Sequence, residues 1–239
     1  MADKKANDSF QMSIYEHLEE LRQRSIESIV ALLISMVVCS LNINILIELI
    51  KQPAIGIKFL QLSPGEYFFT SIKITLYLGI ILSSPIIFYE IIIFIIPGLT
   101  KKERRLLIPI LIASGCLFVA GLIFGYIYIT PIAVRFFINY GKDMIEPIWS
   151  FKEYFDFIIL SLFSTAISFQ IPIFQILLGS LKIINSKMML SVWRYVVVGS
   201  TIFSAIITPS TDPLIQLFLS VAVMFLYFSS ILVLKLFKL

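Results

Sequence analysis

Long apolar runs alternate with short polar segments along the whole 239-residue chain. A helix needs about 20 apolar residues to cross the roughly 30 Å hydrocarbon core of a bilayer. Six runs meet or approach this length, and they are 26–46, 70–96, 106–130, 156–181, 192–207 and 214–234. The fifth run is the shortest, because its 16 residues cover only about 24 Å as a helix.

Pattern and composition together indicate the fold class. The runs are continuously apolar and lack the alternating ten-residue segments of membrane β-barrels, so helices are the structure that satisfies their backbone in lipid. A hydrophobic content of 59%, a charged content of 14% and a mean hydropathy of +0.96 lie far outside soluble usage. We predict an all-α polytopic protein with six transmembrane helices, forming one membrane domain over residues 1–239.

The distribution of cations predicts the orientation. Six spans put both termini on one side of the membrane, and 13 of the 19 lysine and arginine residues lie on that side. By the positive-inside rule this side is cytoplasmic or stromal. We call it the cis side and the opposite side the trans side. The net charge of +4 therefore reports topology, and the scattered cations do not form the basic stripe of a nucleic-acid-binding protein.

The segment before the first span has the pattern of an amphipathic surface helix. It carries a capping box at Ser13 and Glu16, and its large apolar residues share one helical face. We therefore expect an N-terminal helix within residues 1–25 to lie along the cis surface. Glu20 and Arg24 are four residues apart, so an ion pair between them is sufficient to explain why both charged residues are present.

A second acidic position lies in the first cis loop. Pro97 and Gly98 end the second span, and Thr100 and Glu103 form a capping box for the third. Glu103 thus has a structural explanation as the third residue of a helix. It also stands among four cations on the same membrane face as Glu20, and two carboxylates on one basic face would suit a cationic peptide.

Polar residues inside the spans are the next candidates. Glu90 precedes Pro97 by seven residues, which places it about 10 Å deep. An ionised side chain near the centre of a span costs about 2.5–3.5 kcal/mol, so Glu90 should face protein or water. Gln170 fits an interhelical hydrogen bond, and Pro172 and Pro85 should bend their helices.

Small residues and helix-start signals predict close packing and folded trans loops. Gly121 and Gly125 form a GxxxG pair, for which packing within the chain is the simpler explanation. On the trans side, Ser63 and Glu66 have the spacing of a helix N-terminus. A second capping box, at Ser150 and Glu153, precedes the fourth span.

Enzyme classes lack their required residues. There is no GxxxxGK[ST] phosphate loop and no GxSxG turn. The single His17 lies outside the spans, while Asp156 and Asp212 stand at helix ends, so neither a serine-type nor an aspartyl protease can be assembled. With Cys39 and Cys116 inside apolar runs, we expect no metal and no cofactor. Two classes remain: a proton-coupled transporter of a small solute, and a receptor for protein export.

The order of motifs decides between these classes. The chain carries HLEELR at 17–22, SPGEYF at 63–68, SP at 84–85, FYE at 88–90, KERR at 102–105, FQIP at 169–172 and TP at 208–209. In this order, and with Phe94, Pro97, Asp212 and Gln216, they resemble the TatC family of twin-arginine protein translocases. The resemblance covers nearly the whole chain.

The resemblance implies a cup-shaped, six-helix receptor that recognises the twin-arginine signal peptides of folded cargo. Members of the family recruit TatA/TatB-type single-span partners, use the proton-motive force and work as homo-oligomers within a complex. By position, Glu20 and Glu103 would receive the signal arginines. Arg22 would shape the N-terminal site, and Phe94 would support the first cis loop.

The resemblance extends to the spans and to the compartment. Gln170, where many relatives have glutamate, would face a concave pocket and a partner helix, and Asp212 and Gln216 would belong to the last trans turn. The SPGEYF run looks like that of plastid and cyanobacterial members, and the heavy use of isoleucine suits a plastid genome. We therefore expect a thylakoid membrane, with a bacterial inner membrane as the alternative.

Overall fold

The computed structural model describes residues 14–95, 101–140, 146, 148–180, 183–207 and 213–236, with the backbone alone at 14, 101–107, 207 and 214. Its helices are α1 (Ile14–Leu41), α2 (Ile43–Lys51), α3 (Glu66–Ile95), α4 (Lys101–Phe124), α5 (Thr130–Tyr140), α6 (Phe151–Ser168), α7 (Ile171–Ser180), α8 (Ser186–Ser191), α9 (Trp193–Ile207) and α10 (Pro213–Leu236). A 3₁₀ turn (Gln52–Ala54) follows α2, and two short strands are β1 (Lys58–Leu60) and β2 (Ile148–Ser150).

The predicted polytopic all-α class is confirmed. In the described part of the chain, five helical stretches are long and apolar enough to cross a membrane, and they are Tyr15–Leu41, Glu66–Ile95, Ile108–Tyr140, Phe151–Ser180 and Ile215–Leu236. A shorter apolar helix, Trp193–Ile206, corresponds to the weak fifth run. The short element thus coincides with the run that was too short to match the hydrocarbon thickness.

The N-terminal region differs from the separate surface helix expected within 1–25. Helix α1 is continuous from Ile14 to Leu41, so its first turns extend the first span on the cis side. This stretch contains no glycine or proline, and a change in polarity alone does not end a helix. Gln23 also donates a 3.0 Å hydrogen bond to Glu27 across the expected boundary.

The first span also ends earlier than position 46. The backbone leaves the helix at Asn42, whose Nδ2 donates to the Val38 carbonyl at 2.9 Å, and α2 then begins at Ile43. An asparagine that bonds to the preceding turn in this way competes with the helical ladder. Residues 43–46 therefore belong to a separate amphipathic helix on the trans side.

The third span is longer than its predicted range of 106–130. A π-helical turn (Gly125–Ile129) joins α4 to α5, so helical backbone runs from Lys101 to Tyr140. In this turn the Thr130 amide donates to the Gly125 carbonyl, five residues back. Pro131, which has no amide to donate, follows where the regular ladder is already interrupted.

Prolines in two other spans act differently. Helix α3 continues through Pro85, and the Ile81 carbonyl that proline leaves without an amide donor accepts a 2.7 Å bond from the Ser84 hydroxyl. By contrast, α6 ends at Ser168 and α7 begins at Ile171, just before Pro172. The fourth span is therefore broken around Gln170.

Close helix packing occurs at the glycine pair. A Cβ added to Gly121 would lie 2.9 Å from both the Ala166 Cα and the Phe169 Cβ of the neighbouring segment. A Cβ added to Gly125 would lie 3.2 Å from a Leu162 methyl group. The interpretation of this pair as packing within the chain is confirmed.

A folded unit lies at the trans end, and we call it the trans cap. It comprises α2, β1, β2 and the first turns of α6. The two strands pair in parallel, with Phe59 opposite Trp149. The Tyr154 hydroxyl donates to the Ile50 carbonyl at 2.8 Å, and Phe155 is fully buried beneath them. The trans loops are thus held to the bundle by buried aromatic residues.

Candidate functional site

Helices α1 and α3 come together at the cis end of the bundle. Farther along, Gly79 of α3 allows close approach, because a Cβ there would lie 3.3 Å from the Met36 backbone. At the cis end the His17 ring stacks on Phe94, with centroids 4.4 Å apart and planes 13° apart. This contact fixes the first turns of α1 against the last turns of α3.

A group of charged side chains lies between these two helices. We call it the cis cluster, and its members are His17, Glu20, Arg24, Glu27 and Glu90. Nη1 of Arg24 donates to Oε2 of Glu90 at 3.0 Å and to Oε2 of Glu27 at 3.4 Å. Nη2 of Arg24 lies 3.9 Å from Oε1 of Glu20. One guanidinium group is thus shared by three carboxylates.

Glu90 faces protein, as the free-energy cost of burying its charge requires. The residue is only 6% exposed, and its carboxylate faces Arg24 of the neighbouring helix. An ionised group at this depth needs a partner of opposite charge. Sequence reasoning paired Arg24 with Glu20 by helical spacing and missed Glu90. The available signal was the need of an intramembrane acid for a cation at similar depth.

Glu20 is less completely paired than Glu90. Its Oε2 is shielded from solvent and has no hydrogen-bond partner among the residues with described side chains. Nδ1 of His17 lies 3.9 Å from this oxygen. A carboxylate can accept several hydrogen bonds, two of them from a single arginine. Glu20 therefore retains capacity for a further donor.

The other predicted site residues lie away from the cis cluster or outside the described part of the chain. Arg22 is exposed and pairs with Glu19 at 3.0 Å, away from the cis cluster. Glu103 lies in the first turn of α4, but its side chain is outside the described part of the chain. Pro97 lies outside the described residues, as does Asp212 on the trans side.

Gln170 is engaged within the bundle. Ser114 of α4 donates to Oε1 of Gln170 at 2.7 Å, and Nε2 of Gln170 donates to the Ser114 carbonyl at 3.1 Å. This reciprocal pair needs both an acceptor and a donor, so an ionised glutamate could not reproduce it. Gln216 makes one comparable contact, since its Nε2 donates to the Thr201 carbonyl at 3.1 Å and joins α10 to α9.

A second buried carboxylate organises the trans cap. Oε1 of Glu66 accepts from the Ser150 hydroxyl and the Lys152 amide, both at 3.0 Å. Oε2 accepts from the Leu62 amide at 2.7 Å and the Ser63 amide at 3.0 Å. The sequence predicted the bond from the Ser63 amide to Glu66, but it placed Glu66 as the third helical residue. Glu66 is instead the first residue of α3, because Gly65 before it has a φ of +79°. The sequence did not reveal the connection to the second trans loop.

The predicted cap of α6 is also present. The Ser150 hydroxyl accepts from the Glu153 amide at 3.4 Å while it donates to Glu66. Among the described side chains, no group of three or more His, Cys, Asp or Glu residues is arranged to hold a metal ion.

Comparison with known proteins agrees with this arrangement. Residues 16–221 match the family model of the Sec-independent protein translocase protein (TatC). The tatC-like protein ycf43 of Gracilaria tenuistipitata var. liui is 53% identical over 229 residues, covering 96% of each chain. The chloroplastic Sec-independent protein translocase protein TATC of Pisum sativum is 48% identical over 222 residues, covering 92% of this chain and 63% of its own.

A solved structure shows the same fold. The crystal structure of the twin arginine translocase receptor TatC matches with a TM-score of 0.80 and 32% identity, covering 92% of this chain and 99% of its own. The chloroplastic relatives and the several spanning helices identify a multi-pass protein of the plastid or thylakoid membrane, as expected. The alternative of a small-solute transporter is not supported. The chain belongs to the TatC family, and it is a twin-arginine translocase subunit.

Proposed function

We propose that this subunit is the signal-peptide receptor of the translocase. It binds the twin-arginine signal peptides of folded cargo at the cis end, with Glu20 and Glu103 receiving the two arginines. The observation that carries the proposal is the carboxylate of Glu20 near the cis end of α1, whose Oε2 is shielded from solvent and has no hydrogen-bond partner among the described side chains. Support also comes from the related protein of known crystal structure, which is described as a twin arginine translocase receptor.

The chemistry of the carboxylate explains a requirement for arginine. A carboxylate accepts two parallel hydrogen bonds from a planar guanidinium group, whereas the ammonium group of lysine acts as a point charge. The stacking of His17 on Phe94 holds the helix that carries Glu20 in place. Phe94 therefore supports the site through packing, while Arg22 acts at its outer edge through Glu19.

The test uses glutamates that differ in their surroundings. Glu20→Gln should lower photocrosslinking of a twin-arginine signal peptide to the full chain in membranes by about tenfold or more. A tenfold loss corresponds to about 1.4 kcal/mol of binding free energy. Glu19→Gln is the matched control, since Glu19 is adjacent but exposed and turned toward Arg22. It should change crosslinking by less than about twofold.

Two further results bear on the receptor assignment. Glu20→Gln combined with Glu103→Gln should abolish crosslinking while the folded protein remains in the membrane. A signal peptide with two lysines should crosslink poorly to the unchanged chain. Equal docking of the lysine peptide, or full docking to Glu20→Gln, would contradict the proposal.

Transport itself requires other components. The sequence has no phosphate-binding loop for ATP, so we infer that export uses the proton-motive force and TatA/TatB-type single-span partners, with this chain in a homo-oligomer. No catalytic step is assigned to the chain. An uncoupler should stop export of a folded cargo and leave peptide docking intact. Loss of docking with the uncoupler would contradict this division of roles.

A further inference from the structure

Arg24 lies within reach of three carboxylates, Glu20 and Glu27 on its own helix and Glu90 on α3. Helical spacing of four residues allows Arg24 to pair directly with Glu20 on α1. The observed distance is nevertheless 3.9 Å, which is longer than a hydrogen bond. The same guanidinium group makes a 3.0 Å hydrogen bond to Glu90 on α3. Arg24 is thus committed to the neighbouring helix.

The different exposure of the three acids explains why Arg24 bonds to Glu90. The side chain of Glu90 is 7% exposed, compared with 17% for Glu20 and 41% for Glu27. The least hydrated carboxylate loses most if it has no partner, so it gains most from the guanidinium group. Glu27 lies one turn farther along α1 and accepts from the same Nη1 atom. Both contacts draw Arg24 away from Glu20.

We propose that Glu90 is a positioning residue for signal recognition, because it holds the chain's own guanidinium group away from Glu20. The inference rests on the proposed function of Glu20 as an acceptor for a signal arginine. Without the Glu90 carboxylate, Arg24 turns back to the acid four residues before it. An intramolecular guanidinium group at this distance has a high effective concentration and competes with the incoming arginine.

This competition distinguishes Glu90 from a direct ligand and from a purely structural residue. A direct ligand would be needed whether or not Arg24 is present. A structural residue would leave binding altered in proportion to the loss of folded protein. A residue that acts by restraining a competitor becomes dispensable once the competitor is removed.

The experiment therefore pairs a single variant with a double variant. Glu90→Met removes the carboxylate with an unbranched apolar side chain that suits a buried site. Arg24 keeps Glu20 and Glu27 as partners, so no buried charge is left isolated. Glu90→Met should weaken titrated crosslinking of a twin-arginine signal peptide by about tenfold. Glu90→Met combined with Arg24→Gln should restore it to within about threefold of the unchanged chain.

Controls separate the possible outcomes. Melting curves of detergent-solubilised protein allow binding to be expressed per folded molecule. Glu27→Gln, which removes a more exposed contact of the same Nη1 atom, should weaken binding by less than about threefold. Unchanged binding in Glu90→Met, or a double variant as weak as the single one, would overturn the inference. Full binding by Glu20→Gln in the same assay would overturn the receptor assignment instead.

Discussion

Glu20 and Glu66 are acids near opposite ends of the bundle, and the hydrogen bonding of their carboxylates differs. Each oxygen of Glu66 accepts two hydrogen bonds, and these four bonds connect both trans loops to α3. Glu20 has long contacts of 3.9 Å to Arg24 and to His17, and its Oε2 lacks a hydrogen-bond partner among the described side chains. A fully bonded acid stabilises the protein, whereas an incompletely bonded one can receive a ligand.

The position of each acid in its helix causes the difference. Glu66 is the first residue of α3 and lies beside the start of α6, where backbone amides have no helical acceptor. Those amides supply three of its four donors. Glu20 lies in the second turn of α1, where amides already bond within the helix. Only side chains or a ligand can reach its carboxylate.

The largest effect on stability is expected from Glu66→Gln. An amide group keeps one acceptor oxygen and presents an NH2 group to two of the four donors, so those donors lose their acceptor. The melting temperature should fall more than for any other trans-side variant proposed below. Peptide docking at the cis end, expressed per folded molecule, should stay unchanged.

The matched control is Glu48→Gln, because Glu48 is an exposed acid on α2 of the same trans cap. This variant should melt like the unchanged chain. If Glu66→Gln also melted normally, hydrogen bonding of that carboxylate would not stabilise the trans cap. If it weakened docking per folded molecule, the two ends of the bundle would not be independent.

A packing defect without any change of charge should have an intermediate effect. Gly121→Ala places a methyl group 2.9 Å from the backbone of Ala166, so α4 and α6 must separate. Overpacking of this kind costs about 1–3 kcal/mol. Gly115→Ala on the same helix meets nothing within 4 Å and should be neutral or slightly stabilising.

Thermal unfolding of the two glycine variants separates sterics from electrostatics. Gly121→Ala should lower the melting temperature with no change in the preference for arginine over lysine in the signal peptide. Equal stability of the two variants would show that the helices adjust without cost. A changed arginine preference would mean that the cis cluster depends on packing in the middle of the bundle.

Local patterns predicted much of this molecule. Hydropathy indicated the spans, and the spacing of Ser150 and Glu153 indicated the capping box. The spacing of Gly121 and Gly125 in the sequence indicated close helix packing. Each of these signals lies within one turn or one helix. The prediction of a helix boundary near residue 25 was wrong. Polarity changes at that position, but α1 continues because no residue there ends a helix.

Contacts between distant segments could not be read from such patterns. Arg24 and Glu90 are 66 positions apart, and Ser150 and Glu66 are 84 positions apart. In each case the partner predicted from local spacing is present, but it is not the only partner of that side chain. The tertiary fold added a second partner, and this partner determines whether a carboxylate is saturated or remains available.

The smallest effect is expected at the exposed ion pair of the trans side. Nζ of Lys73 lies 2.8 Å from both oxygens of Asp156, joining α3 to α6, and the two side chains are partly exposed. Exposed pairs contribute about 0–1 kcal/mol, so Asp156→Asn should shift the melting temperature only slightly, and less at high salt. Exchange of the two residues should restore the original value. A loss as large as that of Glu66→Gln would mean that charge, and not the number of hydrogen bonds, sets the stability of the trans cap.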